Sequence, residues 1–574
     1  MEGTEHAIPA DGSTALAGIR AHTSVTVQAP CSGKGRCGKC VILPDAGNSP
    51  AAEPVLSCLV VPKAGERYRA PRNGAFQIST AGLTLPEQIL PLVETKTITL
   101  ARQTREANPD LQTLLQNELS ANHPIDPWLF SQFFRVCPEG FGTVKVVLFN
   151  DRLVAFADPD ESVPVCAIDI GTTTVALVCL DPETGIVLGQ ASGLNAQSSW
   201  GSDVLSRIQA IREGSASTEE LHAVMVAQIE TLMGQACPEG CRPVVLMAAG
   251  NTAMMHSLFS LYPGLLGESP FLSTARVPRA QRGRELGFDR YPDLVVQGLP
   301  SLSAYVGADI TAGIVSSQMD RTDKTMLLLD VGTNGEMALS SGGRLVSCST
   351  AAGPAFEGAH IHQGVGGIPG AIESVSIADD GFSCTTIGNR PIVGICGSGI
   401  IDLMACLLNS GVVDEVGNIC PENVETYTNC RYRDTEMGGE LEFLFGDLGT
   451  LLFTGRDIRE IQLAKAAIAA GIHVLLESVG LRHDAIDDFW IAGGFGGYIN
   501  PVSAARIGLF PHQLLHKVVS AGNTSLLGCY HSLLNRPLFQ RMFEVERQMC
   551  TIDLASEPGF QDTYVELMVF PEQE

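Results

Sequence analysis

Positive charge is scarce in this chain. Its 574 residues carry 37 lysines and arginines against 63 aspartates and glutamates, a formal charge of −26. A surface of that sign repels phosphate backbones and anionic lipid, so nucleic-acid and membrane-surface binding are not expected. Long uncharged apolar runs are missing as well, and no bilayer-spanning helix is expected. The N-terminus, Met1-Glu2-Gly3-Thr4-Glu5-His6, lacks the basic and apolar segments of a signal peptide. Charged residues make up only 17% of the chain and hydrophobic residues 45%, a balance that favours packed cores over disorder. At this length roughly two to four domains are expected rather than one.

Cysteine, by contrast, is abundant. The count of 17 is odd, and most cysteines sit singly in apolar segments, as do Cys166, Cys179, Cys396 and Cys406. Scattered buried thiols fit a reducing compartment, and a cytoplasmic location is expected. Cys237 and Cys241 read as structural or idle thiols, because a cluster would need two more cysteines in view. The 60 glycines follow no collagen-like period and should mark turns and ligand loops.

Four cysteines stand apart. They are spaced Cys31-x5-Cys37-x2-Cys40-x17-Cys58, with Gly33, Gly35 and Gly38 in the loop. Four thiolates are what a [2Fe–2S] cluster requires, two for each iron. The glycines let backbone N–H groups turn toward the cluster sulfurs. A zinc site would normally show two short Cys/His pairs, and Cys37/Cys40 has no second such pair. The segment resembles β-grasp ferredoxin domains, in which Ala29-Pro30-Cys31 precedes the loop and Leu56-Ser57-Cys58 closes it.

The rest of the chain has an α/β pattern. A helix is expected over Leu111–Leu119, and a hairpin turned at Asn150-Asp151. A strand–turn–strand unit, Val165 to Val178 with Asp169-Ile170-Gly171-Thr172-Thr173, is echoed at Met326 to Leu339 with Asp330-Val331-Gly332-Thr333-Asn334. Such an echo suggests two similar lobes facing a cleft. Neither turn is a Walker loop or a dinucleotide fingerprint, because Gly-Lys-Ser/Thr and a following helix are absent. Backbone N–H and threonine hydroxyls can hold phosphate there, with the Asp facing Mg²⁺. Between the turns, Gly307-Ala308-Asp309 reads as a helix start with an acid aimed at the cleft. Beyond them lie Ala492-Gly493-Gly494-Phe495-Gly496 and Ala521-Gly522-Asn523. Gly397-Ser398-Gly399 is a further helix entrance that serves either nucleotide binding or close packing. His360 and His362 have metal-like spacing on an expected strand and read as ordinary surface or core histidines.

The order of these motifs resembles the ATPase superfamily of acetate and sugar kinases, heat-shock proteins and actin. The resemblance implies that Asp169 and Asp330 face Mg²⁺, and that Gly171, Thr172, Thr173, Gly332, Thr333 and Asn334 cradle ATP phosphates. It also implies that Asp309 orients the attacking water and that Gly493, Gly494 and Gly496 approach the adenosine.

Further segments resemble one family across nearly the whole chain, the reductive activators of corrinoid-dependent proteins. They are Asn195-x-Gln197 through Arg207, Gly250-Asn251 to His256, Ala352-Gly353 to Gly358, and Thr454 to Lys465. The chain departs from that family at Gly364-Val365-Gly366-Gly367, where a basic residue is more usual. The resemblance implies a multidomain α/β protein. A β-grasp ferredoxin-like domain is expected over 1–80, a linker and small α+β middle domain over 81–160, and a two-lobed actin- or sugar-kinase-like ATPase core over 161–574. It implies ATP-dependent transfer of an electron from a [2Fe–2S] cluster to the Co(II) form of a corrinoid (cobalamin-binding) protein, regenerating Co(I). A ferredoxin, flavodoxin or flavin reductase would supply the electron, and a homodimer is one implied assembly. The cluster thiolates should be exposed enough to trade electrons. Three alternatives stay open: a redox-sensing, nucleotide-gated binding protein, an ATP-dependent activator of another metalloenzyme, and a small-molecule kinase with a fused ferredoxin domain.

Overall fold

The computed structural model describes residues 7–8, 10–22, 27, 41–44, 55–64, 66–69, 83–102, 110–119, 125–378, 381–435, 438–493 and 498–572. Helix α1 (Ala15–His22) opens the chain beside a small antiparallel sheet of β1 (Val41–Pro44), β2 (Val55–Leu56) and β3 (Tyr68–Arg69), ordered β2-β1-β3. Ala15, Leu16, Val27, Ile42 and Cys58 form its core. Cys31, Cys37 and Cys40 lie outside the described residues.

The next unit is a meander of β4 (Val93–Leu100), β5 (Gly142–Phe149) and β6 (Arg152–Ala157), covered by α2 (Leu111–Leu119) and α3 (Pro127–Val136). The β5–β6 hairpin turns at Asn150 and Asp151, both left-handed with φ of 48° and 66°. Asn and Asp tolerate that conformation through local side-chain hydrogen bonding. One face packs on α2 and α3. Val147, Phe149 and Val154 instead join the core of the first lobe, so this sheet is docked on its neighbour.

The first lobe consists of β7 (Val165–Ile170), β8 (Thr174–Leu180), β9 (Val187–Leu194), α4 (Val204–Arg212), α5 (Thr218–Ala236), β10 (Val245–Gly250), α6 (Thr252–Leu258), β11 (Gln281–Arg282), β12 (Val295–Gly298) and α7 (Ala308–Ser316). Its sheet runs β11-β12-β10-β7-β8-β9. The second lobe is built on β13 (Met326–Val331), β14 (Gly335–Ser341) and β15 (Arg344–Thr350). Two small sheets follow, one of β16 (Ala371–Ala378), β17 (Gly381–Thr386) and β18 (Gly394–Ile395), then α8 (Gly397–Asn409) and α9 (Pro421–Val424). The other contains β19 (Cys430–Thr435), β20 (Gly438–Leu444) and β21 (Thr450–Thr454), which leads into α10 (Gly455–Glu477). The chain continues through β22 (Asp488–Ala492), α11 (Pro501–Arg506), β23 (Val518–Gly522), α12 (Thr524–Leu534), α13 (Arg536–Gln548) and β24 (Cys550–Thr551).

The sequence echo is a structural duplication. In the first lobe β12, β10 and β7 are parallel, and β7, β8 and β9 form an antiparallel meander. In the second, β23, β22 and β13 are parallel, and β13, β14 and β15 repeat the meander. Parallel strands need crossovers, and their burial on both faces explains the near-continuous apolar runs Leu327–Leu329 and Leu246–Ala249. Helix α12 leaves the second lobe and packs into the core of the first. A Cβ at Gly528 would come 2.5 Å from Cβ of Ala312 on α7, so this crossing requires glycine. No helix among the described residues is long and apolar enough to cross a membrane.

Candidate active site

Both Asp-x-Gly-Thr units fold as strand, turn and strand, and the duplication points them at each other across the cleft. Between them lies a cavity of about 480 Å³. That is within the ordinary range for a small-molecule site of ~300–1,000 Å³. Asp169, Gly171, Thr172, Thr173, Asp309, Asp330, Gly332, Thr333, Asn334 and Gly493 all line it. Gly494 and Gly496 lie outside the described residues. The helix entrance at Cys396, Gly397 and Ser398 lines the cavity too, as do Gly366 and Gly367.

The first turn is held from behind. Asn195 Nδ2 donates to the Gly171 carbonyl at 2.8 Å, and Arg207 donates to the carbonyls of Thr172 and Gly201. Asn251 Nδ2 donates to Thr172 Oγ1 at 2.7 Å, which turns that hydroxyl toward the protein. A Cβ at Gly171 would lie 2.6 Å from the Thr174 carbonyl oxygen. Gly493 has φ of 112°, and its Cβ would lie 2.6 Å from the Val331 carbonyl and 2.8 Å from Asp330 Oδ1.

Sequence reasoning left several participants without a role. Glu357 was visible only as part of a motif. Its Oε2 accepts hydrogen bonds from Thr173 Oγ1 and from Thr333 Oγ1, so one carboxylate ties the two turns together across the cleft. Asn523 Nδ2 and Ser525 Oγ, at the start of α12, donate to Asp169 at 2.8 and 2.7 Å. Glu336, two residues beyond Asn334, accepts from its Nδ2 at 3.1 Å.

The electrostatics are one-sided. Asp169, Asp309, Asp330, Glu336 and Glu357 share the cavity, and no lysine or arginine is among its described lining residues. Burial pushes the Asp309 carboxyl up to about 7, and the negative charge of Asp169 adds to the shift. Asp330 and Glu336 are raised well above the usual range, first by burial and then by neighbouring carboxylates. Asp169 is also raised by burial, with Ser525 and Asn523 opposing. Of these five only Glu357 feels a protein cation, Arg207 behind the turn, and the other four are shifted by burial and by one another. An all-oxygen donor set of this kind fits a hard divalent cation such as Mg²⁺, which keeps several waters and binds through one or two carboxylates together with phosphates. Arg207 lies behind the turn, and burial lowers it to about 10.

The segment that braces the first turn also reaches the N-terminal region. Ser199 Oγ donates to the Val27 carbonyl at 3.1 Å, and the Arg20 guanidinium lies 5.2 Å from the Trp200 ring centroid. Cys58 is only 6% exposed, so this thiol departs from the expected exposed position. It closes the β2 segment against Leu16 and Ile42. His360 and His362 sit in an irregular turn rather than on a strand, because Gly358 and Gly364 bring the chain back on itself there. His360 Nδ1 is 3.6 Å from Glu460, and the His362 amide donates to Asp457. Cys237 is not isolated: it meets Cys166 and Cys179 on the first lobe.

Two family models match the chain. The middle region of RACo matches residues 165–322, and the C-terminal domain of RACo, the ASKHA domain, matches residues 324–574. The models meet between the two lobes. The corrinoid activation enzyme RamQ of Eubacterium limosum is 29% identical over 98% of this chain and 97% of its own. The Co(II) methylated amine-specific corrinoid protein reductase of Methanosarcina barkeri is 25% identical over 46% of this chain and 50% of its own. The solved structure of a reductive activator for corrinoid, iron–sulfur protein superposes with a TM-score of 0.77 at 30% identity, covering 99% of this chain and 97% of that one.

Proposed function

The chain belongs to the RACo family of corrinoid reductive activators, and from that premise we propose that it spends ATP to return the Co(II) corrinoid of a partner protein to Co(I). The observation that carries the ATP half is the cleft, where two phosphate-type turns face five carboxylates and no lysine or arginine is among the described lining residues. Mg²⁺–ATP brings both the missing cation and the phosphates such turns accept. Asp169 and Asp330 would hold the metal, Thr173, Thr333 and the turn amides the phosphates, and Asp309 the attacking water. Gly493 keeps the wall open beside Asp330.

The electron half rests on Cys31, Cys37, Cys40 and Cys58. A [2Fe–2S] cluster on four such thiolates supplies one electron at a time. Cys58 is anchored in a small core, so its sulfur would be a fixed, shielded ligand rather than the exposed point of electron entry. Driving an electron uphill costs about 2.3 kcal/mol per 100 mV, so a gap of a few hundred mV needs on the order of 5–7 kcal/mol. Nucleotide can contribute that only by binding the two conformations of the activator unequally. Residues 195–207 are placed to carry the difference. They touch Val27 on one side and the carbonyls of Gly171 and Thr172 on the other.

The test is direct. Pre-reduced protein is mixed with a Co(II) corrinoid protein from a methyltransferase system, with Mg²⁺ and either ATP or a non-hydrolysable analogue. Co(I) absorbance should appear with ATP alone, and ATP turnover should rise when the Co(II) protein is added. Co(I) formation that ignores ATP, or its absence with every corrinoid partner tried, defeats the reading.

A further inference from the structure

Three cysteines from separate parts of the chain meet inside the first lobe. Cys166 on β7 and Cys179 on β8 are direct partners in the antiparallel register. Side chains at paired positions share one face of a sheet, and both thiols are completely buried. The third, Cys237, is the C-cap of α5 and arrives through the backbone. Gly189 on β9 is the cross-strand partner of Cys179. A Cβ there would lie 2.2 Å from the Ala236 carbonyl oxygen. The end of α5 therefore reaches the sheet because residue 189 has no side chain, and that approach sets Cys237 over the other two.

The sulfur geometry is that of a ligand set. Cys237 Sγ is 3.8 Å from Cys166 Sγ, and all three sulfurs lie within 4.8 Å of one another. Sulfurs about 2.3 Å from a tetrahedral zinc are separated by about 3.8 Å. None of the three is in a disulfide, and a disulfide would pair two and strand the third. A fourth cysteine, Cys241, follows four residues after Cys237. The turn after α5 returns with the Cys241 amide donating to the Pro238 carbonyl at 3.1 Å. The Cys241 sulfur lies outside the set of three, so the turn would close onto the ion for Cys241 to bind.

We propose that Cys166, Cys179 and Cys237, with Cys241 as the fourth donor, bind one Zn²⁺ ion as a structural site separate from the four N-terminal cysteines. Each thiol gives its proton to solvent as the ion binds, and no electron moves. The ion would clip the end of α5 to the β7–β8 hairpin. That hairpin carries Asp169 and the Gly171–Thr173 turn, so the clip would stiffen one jaw of the cleft.

The experiment compares zinc content by mass spectrometry in four full-length proteins. These are the parent, a control with Cys31, Cys37 and Cys40 all changed to Ser, Cys179→Ser and Cys237→Ser. The control should keep one equivalent of zinc, and each single variant should lose it while keeping the N-terminal cluster absorbance. Should the single variants fail to fold, Co²⁺ added to the metal-stripped control provides the readout. Thiolate-to-cobalt charge transfer with tetrahedral visible bands is expected. A control without zinc and without those bands, equal zinc in control and single variants, or a native disulfide among these cysteines would overturn the proposal.

Discussion

Replacing Asp309 by Asn should stabilise the nucleotide-free protein while abolishing ATP turnover. Asp309 sits at the start of α7 with Asp169 and Asp330 facing it, and its Oδ1 accepts from the Ile310 amide at 2.8 Å. Asn keeps that acceptor and removes the charge. The carboxyl rises from 3.8 in the unfolded chain to about 7 in the fold. A shift of that size is worth about 4 kcal/mol at 1.36 kcal/mol per pH unit. One side of the group meets the open cavity, so about 2–4 kcal/mol is the working range. The sign follows from proton binding. A carboxyl raised in the fold holds its proton while the unfolded chain loses it, so its stability is full below about pH 4 and is lost as pH rises to about 7. The gain from Asn should therefore be absent near pH 4, grow between pH 4 and 7, and stay level above. For a cooperative unit of about 400 residues the unfolding entropy is about 0.8 kcal/mol/K, so the rise in Tm is about 2–5 °C. Calorimetry of both proteins at pH 4.5 and pH 8, without Mg²⁺, measures it. A variant that melts no higher at pH 8, or gains as much at pH 4.5, would refute the account of uncompensated charge. In the same assay Mg²⁺–ATP should raise the Tm of the parent more than that of the variant.

Two other positions give clean expectations. Gly493→Ala introduces a Cβ at φ of 112° against the Val331 carbonyl and Asp330. It should cost about 1–3 kcal/mol and weaken nucleotide binding together; titration calorimetry showing unchanged affinity would contradict the placement. Glu357→Ala removes the acceptor shared by Thr173 and Thr333. Hydrogen bonds to a charged acceptor contribute about 1.5–3 kcal/mol each, so the lobes should open, with a larger radius of gyration in solution scattering and faster nucleotide exchange. Scattering identical to the parent would show that the lobes are held elsewhere.

What could be read in advance was local. Asp169-Ile170-Gly171 and Asp330-Val331-Gly332 each declare a strand, a turn and a second strand within a dozen residues, and the repeat of that unit foretold the duplicated sheets. The hairpin at Asn150-Asp151 was legible for the same reason: both residues tolerate the left-handed backbone the turn uses. What escaped was assembled at long range. Asn523 and Ser525 reach Asp169 because α12 crosses from one lobe into the other, and nothing in the residues around position 523 names that partner. The same holds for the thiols. Cys166, Cys179 and Cys237 look like three unrelated apolar positions until the β7–β8 register and Gly189 bring them together. Glu357 is the most instructive omission. A lone acid after a Gly-Pro pair has no chemistry of its own, and its meaning comes only when both turns are in place to donate to it. That dependence also bears on how the cleft works. Under the proposed function phosphate and the Glu357 carboxylate would compete for the hydroxyls of Thr173 and Thr333, so nucleotide entry would displace Glu357. That displacement would loosen one inter-lobe tie as phosphate and metal form another, giving the unequal binding of two conformations that an uphill electron transfer needs.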